Sequence, residues 1–165
     1  MITLVLGGAR SGKSEVAERL CHGPVTYVAT GVARDDDMAA RIADHRARRP
    51  AAWVTVEVRP GQLVGAVRSA SGTVLVDSLT TWVAECPDFE ADGEGLCTAL
   101  AERRDDSVVV SDELGWGVHP STEAGRRFRD RLGAINQLVA AVADRVLLVV
   151  AGRVLPLEPL DAWAR

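Results

Sequence analysis

The chain alternates between short continuous apolar runs and segments in which apolar residues recur every three or four positions. Ile2-Thr3-Leu4-Val5-Leu6, Val25-Thr26-Tyr27-Val28-Ala29, Thr73-Val74-Leu75-Val76-Asp77, Val108-Val109-Val110 and the stretch Arg145 to Ala151 read as strands. Runs of this kind suit a parallel sheet covered on both faces. Trp53 to Val58 differs, because Val54, Val56 and Val58 alternate with Glu57 on the other side. Helical spacing is predicted for Glu15 to Leu20, Met38 to Arg49, Gln62 to Ser69 and a short stretch near Leu96 to Arg103. A long helix starts after a cap at Ser121 or Thr122 and runs to about Ala143, with Phe128, Leu132, Ile135, Val139 and Val142 as its apolar stripe. Breaks fall at Cys21-His22-Gly23-Pro24, at Pro50 and at Pro60-Gly61. Pro156 and Pro159 predict an irregular tail. No repeat or linker interrupts the alternation. The expectation is one α/β domain over residues 1–165, with a mostly parallel sheet and helices on both faces.

Composition narrows the function classes. The hydrophobic share is 47%, the charged share 25% and the net charge −4. A nucleic-acid role is not favoured without a basic run. The apolar stretch Val146 to Ala151 is too short to span a bilayer, and no charged-then-apolar leader precedes the first strand. The cytoplasm is the expected location. Cys21, Cys86 and Cys97 show neither C-x-x-C nor metal-ligand spacing and are expected as free thiols.

The stretch Gly7-Gly8-Ala9-Arg10-Ser11-Gly12-Lys13-Ser14 fits the phosphate-binding pattern G-x-x-x-x-G-K-S/T, between a strand and a helix as that motif requires. Its glycines let backbone N–H groups turn toward phosphate oxygens, and the helix N-terminus adds partial positive charge there. The domain is therefore expected to be P-loop NTPase-like. Lys13 is placed to reach the β- and γ-phosphates, and the Ser14 hydroxyl to take a Mg²⁺ position. A second acid near Mg²⁺ is expected at a strand end. Asp77 and Asp112 both qualify, with plain helix capping as the alternative for either. Ala29-Thr30-Gly31 ends the second strand, beside the phosphate loop in a parallel sheet.

The segment Met38 to Arg49 carries His45 among Arg41, Arg46, Arg48 and Arg49. It reads either as a solvated basic face or as arginines holding a polyphosphate against an imidazole. Asp35, Asp36 and Asp37 suit helix capping better than metal binding. His22 and His119 are expected to be structural or solvent-facing. Gly115-Trp116-Gly117 reads equally as a turn with a packing Trp or as a substrate-contacting loop. Asn136 and Gln137 need no functional explanation. On these features alone, a kinase of a small alcohol and a nucleotide-dependent regulatory binding module both remain open.

The same residues resemble a known family. Gly7 to Ser14, Asp36-Asp37-Met38-Ala39-Ala40-Arg41-Ile42 with His45-Arg46 and Arg49-Pro50, and Trp53 to Glu57 follow that family's order. Asp77 to Trp82, Asp112 to Gly117, Phe128-Arg129-Asp130 and Asn136-Gln137 complete the likeness. The family is the bifunctional adenosylcobinamide kinase/adenosylcobinamide-phosphate guanylyltransferase of cobalamin assembly. The resemblance implies phosphorylation of adenosylcobinamide by ATP or GTP. GMP transfer from GTP then follows, through a covalent GMP adduct on His45, to give adenosylcobinamide-GDP. It implies nucleotide contacts at residues 7–14, at Ala29, Thr30 and Gly31, at Arg46, Ala47 and Arg48, and at Glu57 and Asp77. Mg²⁺ is implied at Ser14 and Asp77, and a homo-oligomer, by resemblance a trimer.

Overall fold

The computed structural model describes residues 1–31, 46–47 and 49–162. His45, Arg41, Arg48, the three aspartates 35–37 and most of the expected helix 38–49 lie outside the described residues.

The apolar runs and the alternating segment after Trp53 become strands β1 (Ile2–Gly7), β2 (Val25–Ala29), β3 (Val54–Glu57), β4 (Thr73–Asp77), β5 (Ser107–Asp112) and β6 (Arg145–Val150). Helices α1 (Lys13–Leu20), α2 (Leu63–Ser69), α3 (Leu79–Glu85), α4 (Gly93–Ala101) and α5 (Glu123–Val142) follow the strands. The sheet has seven strands in the order β3-β2-β4-β5-β1-β6-β7. All pairings from β3 to β6 are parallel. The last strand, β7 (Arg153–Leu157), pairs antiparallel with β6.

Two of these elements correct the sequence reading. The tail expected to be irregular forms β7, with Pro156 opposite Leu147. Proline lacks an N–H to donate, and an edge strand tolerates that loss on its open side. Sequence spacing predicts no helix directly after Asp77, yet α3 forms there. Ser78 caps it, its hydroxyl accepting from the Thr81 N–H at 3.4 Å. The β3 alternation also has a different outcome. The strand lies at the sheet edge, and Val54 is exposed.

The two faces of the sheet are unequally covered. Leu4, Leu6, Val74, Val76 and Val109 form one core with buried side chains of α2, α3, α4 and α5. Val5, Tyr27, Leu75, Val110 and Val149 face the other way, against Ala17 of α1. The period-two alternation of the strands sends successive residues into these two clusters. Trp82 fills the larger core, and its indole N–H donates to the Pro60 carbonyl at 2.8 Å. Arg103 ties α2 into place: its guanidinium donates to the carbonyls of Val67 at 2.8 Å and Ala70 at 2.7 Å, and to that of Gly72. Among the described residues no helix is long and apolar enough to cross a membrane. The three cysteines are free thiols, and burial pushes the Cys21 thiol up to about 12, helped by Glu18 and Asp106.

Candidate active site

Parallel strands deliver their carboxyl ends to one rim. Gly7 of β1 stands opposite Asp112 of β5 and Val149 of β6. Ala29 of β2 stands opposite Glu57 of β3 and Asp77 of β4. The register therefore gathers the phosphate loop, Ala29, Glu57, Asp77 and Asp112 along a single edge, where ligands of open α/β sheets bind.

The phosphate loop leaves β1 at Gly7 and enters α1 at Lys13. Its turn is closed by the Ser11 N–H donating to the Gly8 carbonyl at 3.2 Å. Gly12 caps α1 with φ +92, a left-handed conformation that favours glycine. A Cβ on Gly7 would meet Ser11 Oγ at 2.5 Å and the Val149 carbonyl at 2.7 Å, so the loop packs too closely for any side chain there. The β6–β7 turn supports the loop from the side, with the Gly152 N–H donating to the Ser11 carbonyl at 2.8 Å.

Lys13 Nζ lies 2.5 Å from Asp112 Oδ1 and donates to the Gly8 carbonyl at 3.2 Å. The charged pair is largely shielded from water, so the ammonium is held at the loop mouth in place of sweeping solvent. Asp112 is fixed in turn. Its N–H donates to Thr80 Oγ1 at 2.9 Å, and its carbonyl accepts from Asn136 Nδ2 at 3.1 Å. Asn136 Oδ1 is buried without a partner among the described residues.

Asp77 is held differently. Tyr27 donates its phenolic O–H to Asp77 Oδ2 at 2.7 Å. Burial, then the adjacent Asp77 charge, raises the Tyr27 pKa, so the phenol stays a donor. The Arg49 guanidinium lies over the Tyr27 ring, 3.3 Å from its centroid, and donates to Thr55 Oγ1 at 3.4 Å. Arg46 pairs with Glu57 at 2.6 Å. The chain just after His45 is thereby anchored on β2 and β3. Thr30 donates to the Ser78 carbonyl at 2.7 Å, accepts from the Ser78 N–H at 2.9 Å, and meets Thr81 Oγ1 at 2.6 Å. The ends of β2 and β4 are locked together by these bonds.

Beyond Asp112 a groove of about 680 Å³ opens between the segment Asp112 to Gly115 and α5. Trp116 is 75% exposed and not packed.

The expected residues thus fall in two groups on one rim. The first is Gly7 to Ser14 with Asp112. The second is Ala29, Thr30, Gly31, Arg46, Glu57 and Asp77. His45 and Arg48 lie outside the described residues. Sequence reading missed the Tyr27–Asp77 bond, the Gly152 support and the role of Asn136. Asn136 did carry a signal, since it sits among Leu132, Ile135 and Val139 on the buried side of α5.

Oxygen donors are what Mg²⁺ requires, and Ser14, Asp77 and Asp112 supply them. Among the described residues no group of three His, Cys, Asp or Glu could hold a metal ion alone.

The comparisons with known proteins agree with this geometry. Residues 3–157 match the family model described as cobinamide kinase / cobinamide phosphate guanyltransferase. The bifunctional adenosylcobalamin biosynthesis protein CobP of Pseudomonas aeruginosa is 44% identical over 174 residues, spanning 97% of this chain and 100% of that protein. The bifunctional adenosylcobalamin biosynthesis protein CobU of Escherichia coli is 38% identical over 175 residues, spanning 92% and 97%. Among solved structures, the flagellar accessory protein FlaH of Methanocaldococcus jannaschii is similar in fold, with TM-score 0.50 and 12% identity over 93% of this chain and 74% of that one. With a phosphate loop on an α/β rim, and matches running over nearly its whole length, the chain belongs to the family of cobinamide kinases / cobinamide phosphate guanyltransferases, which are transferase enzymes.

Proposed function

We propose that the chain phosphorylates adenosylcobinamide with ATP or GTP, then transfers GMP from GTP through His45 to give adenosylcobinamide-GDP. The observation that carries this reading is Lys13 held 2.5 Å from Asp112 at the mouth of a phosphate loop, in a chain matched to both activities.

In the first step the acceptor's hydroxyl oxygen bonds to the γ-phosphorus. The bond from that phosphorus to the β–γ bridging oxygen breaks, the nucleoside diphosphate leaves with the electron pair, and the alcohol proton passes to solvent. Lys13 and the loop N–H groups sit where negative charge develops. In the second step a neutral imidazole nitrogen of His45 attacks the α-phosphorus and pyrophosphate leaves. A phosphate oxygen of the phosphorylated acceptor then attacks the same phosphorus, and the bond to the imidazole breaks. A His side chain retains a neutral, nucleophilic fraction near neutral pH.

Residues 7–14, Ala29, Thr30, Gly31, Arg46, Ala47, Arg48, Glu57 and Asp77 are proposed as nucleotide contacts. Ser14 and Asp77 would hold Mg²⁺, which supplies charge neutralisation at the phosphates. The rim geometry supports this grouping, because the described members share one edge of the sheet. A homo-oligomer, by family resemblance a trimer, and a cytoplasmic location belong to the same proposal.

The test uses GTP labelled at the α-phosphorus, without acceptor. Wild type is expected to take up acid-labile, base-stable label, as a phosphoramidate requires. His45→Ala is expected to lose label and GMP transfer while retaining much of the kinase step. Acid-labile label on purified His45→Ala would sink the assignment.

A further inference from the structure

We propose that the groove between Asp112–Gly115 and α5 is the acceptor site, and that it seats the amide-bearing edge of a corrinoid alcohol. The proposal rests on the transferase reading above and places that reaction's second substrate, for which no residue had been assigned.

Three observations carry it. The first is position. The groove begins at Asp112, whose carboxylate touches Lys13, so a ligand lying in it ends where a γ-phosphoryl group would be held. Two other approaches to the loop are filled by described residues. The β6–β7 turn rests on the loop through Gly152 and Ser11, and the Thr30–Ser78–Thr81 bonds close the ends of β2 and β4. The volume, about 680 Å³, falls within the range of small-molecule sites.

The second observation is charge. Arg129 in the groove is neutralised by Asp130, 2.9 Å away, and its other nitrogen faces His119 Nδ1 at 3.2 Å. A second polyphosphate would find no uncommitted guanidinium here. Leu114, Leu138 and Ala141 with the small Gly133 and Ala134 leave an apolar trough edged by Gln137. Glu113 also lines the groove and accepts from the Gly115 N–H at 2.7 Å, which disfavours an anion and favours amide N–H donors. A partly apolar ligand with amide margins suits such a surface, and a corrinoid ring edged by carboxamides has that character.

The third is Asn136, which lines the groove and is only 7% exposed. Its Nδ2 is committed to the Asp112 carbonyl, which fixes the amide orientation and leaves Oδ1 as an acceptor without a partner among the described residues. Buried amide oxygens are normally satisfied. A carboxamide N–H is the complementary donor, and it would bind at the residue that positions the partner of Lys13.

Gly133→Phe tests this by plugging the trough. A Cβ at Gly133 meets nothing within 4 Å, and Phe is a better helix former than Gly, so the fold should tolerate it. Ala134→Trp, at an exposed position on the same face, is the second plug, and Gly133→Ala is the control. Titration with cobinamide, followed by its visible absorbance, should show about tenfold weaker binding in both plugs. The acceptor KM should rise in parallel. The Kd for a non-hydrolysable GTP analogue should stay within about twofold of wild type. Unchanged cobinamide binding in both plugs, or equal weakening of the GTP analogue, would overturn the proposal. So would a change in solution mass on plugging, which would make this face an interface between copies of the chain. Wild type that binds cobinamide in the groove but never phosphorylates it would defeat the kinase reading alone.

Discussion

Asp77 and Asp112 end two neighbouring parallel strands, each at the close of an apolar run, and the residue pattern treats them alike. The fold does not. Asp112 lies opposite Gly7 and closes on Lys13, while Asp77 lies one strand further out and takes the Tyr27 phenol. Distance from β1 in the sheet order accounts for this, since β5 separates β4 from the phosphate-loop strand. One carboxylate is thereby tied to the lysine that meets phosphate. The other is tied, through Tyr27 and the overlying Arg49, to the segment that follows His45. Two acids of equal appearance thus belong to the two halves of one rim, and those halves correspond to the two chemistries proposed for it.

The sharpest way to break this division is to remove a group that both steps share. Lys13→Ala should lower both phosphoryl and GMP transfer by about 10² to 10³ at saturating nucleotide, the scale of losing one group that stabilises developing charge. Measured rates of both steps within a few-fold of wild type would mean that the triphosphate site is not common to them.

Exchanging each acid for its amide ranks the two. Asp77→Asn should raise the Mg²⁺ concentration needed for half-maximal rate by about tenfold, and Asp112→Asn by less. The reasoning is that Lys13 Nζ lies 2.5 Å from Asp112 Oδ1, so that carboxylate is already paired with the ammonium at the loop mouth. Metal titrations with the order reversed would move the metal role to β5.

Tyr27→Phe is a milder probe of the same half. It deletes the donor to Asp77 but keeps the ring under Arg49. Stability to urea should fall by about 1.5 to 3 kcal/mol, the range for a hydrogen bond to a charged acceptor. The half-maximal Mg²⁺ concentration should shift in the Asp77→Asn direction by a smaller factor. A stability loss with no Mg²⁺ effect would confine Tyr27 to folding.

How much of this was legible beforehand follows from the range of each interaction. The strands β1, β2, β4, β5 and β6 are visible as apolar runs, β3 by its alternation, and α5 because its stripe keeps one period from Phe128 to Val142. Helix α3 is short and carries the β-branched Thr80 and Thr81, so its cap at Ser78 is a weak local signal. Strand β7 is hidden by Pro156, which argues against a central strand but not against an edge. The phosphate loop is a local motif and reads directly. The contacts Tyr27–Asp77 and Asn136–Asp112 join residues far apart in the chain, and only the sheet order brings them together. The polar Asn136 on the buried side of α5 was the one visible trace of the second contact.

The smallest expected effect separates two meanings of the Arg46–Glu57 pair. The ion pair is short, at 2.6 Å, but its side chains are 61% and 69% exposed. Water and salt screen such a pair, and ordering two long side chains offsets the attraction, so exposed pairs contribute at most about 1 kcal/mol. Arg46→Ala should therefore leave the urea midpoint almost unchanged. If Arg46 meets nucleotide as proposed, the same variant should raise the GTP KM of GMP transfer several-fold and leave the kinase step closer to wild type. Its position explains the asymmetry, because it follows His45 directly and stands on the β3 side of the rim, away from Lys13. Added salt should shrink the KM difference between wild type and variant as the guanidinium's attraction for phosphate is screened. A clear loss of stability with an unchanged KM would assign the pair to holding β3 in place and remove Arg46 from the nucleotide contacts.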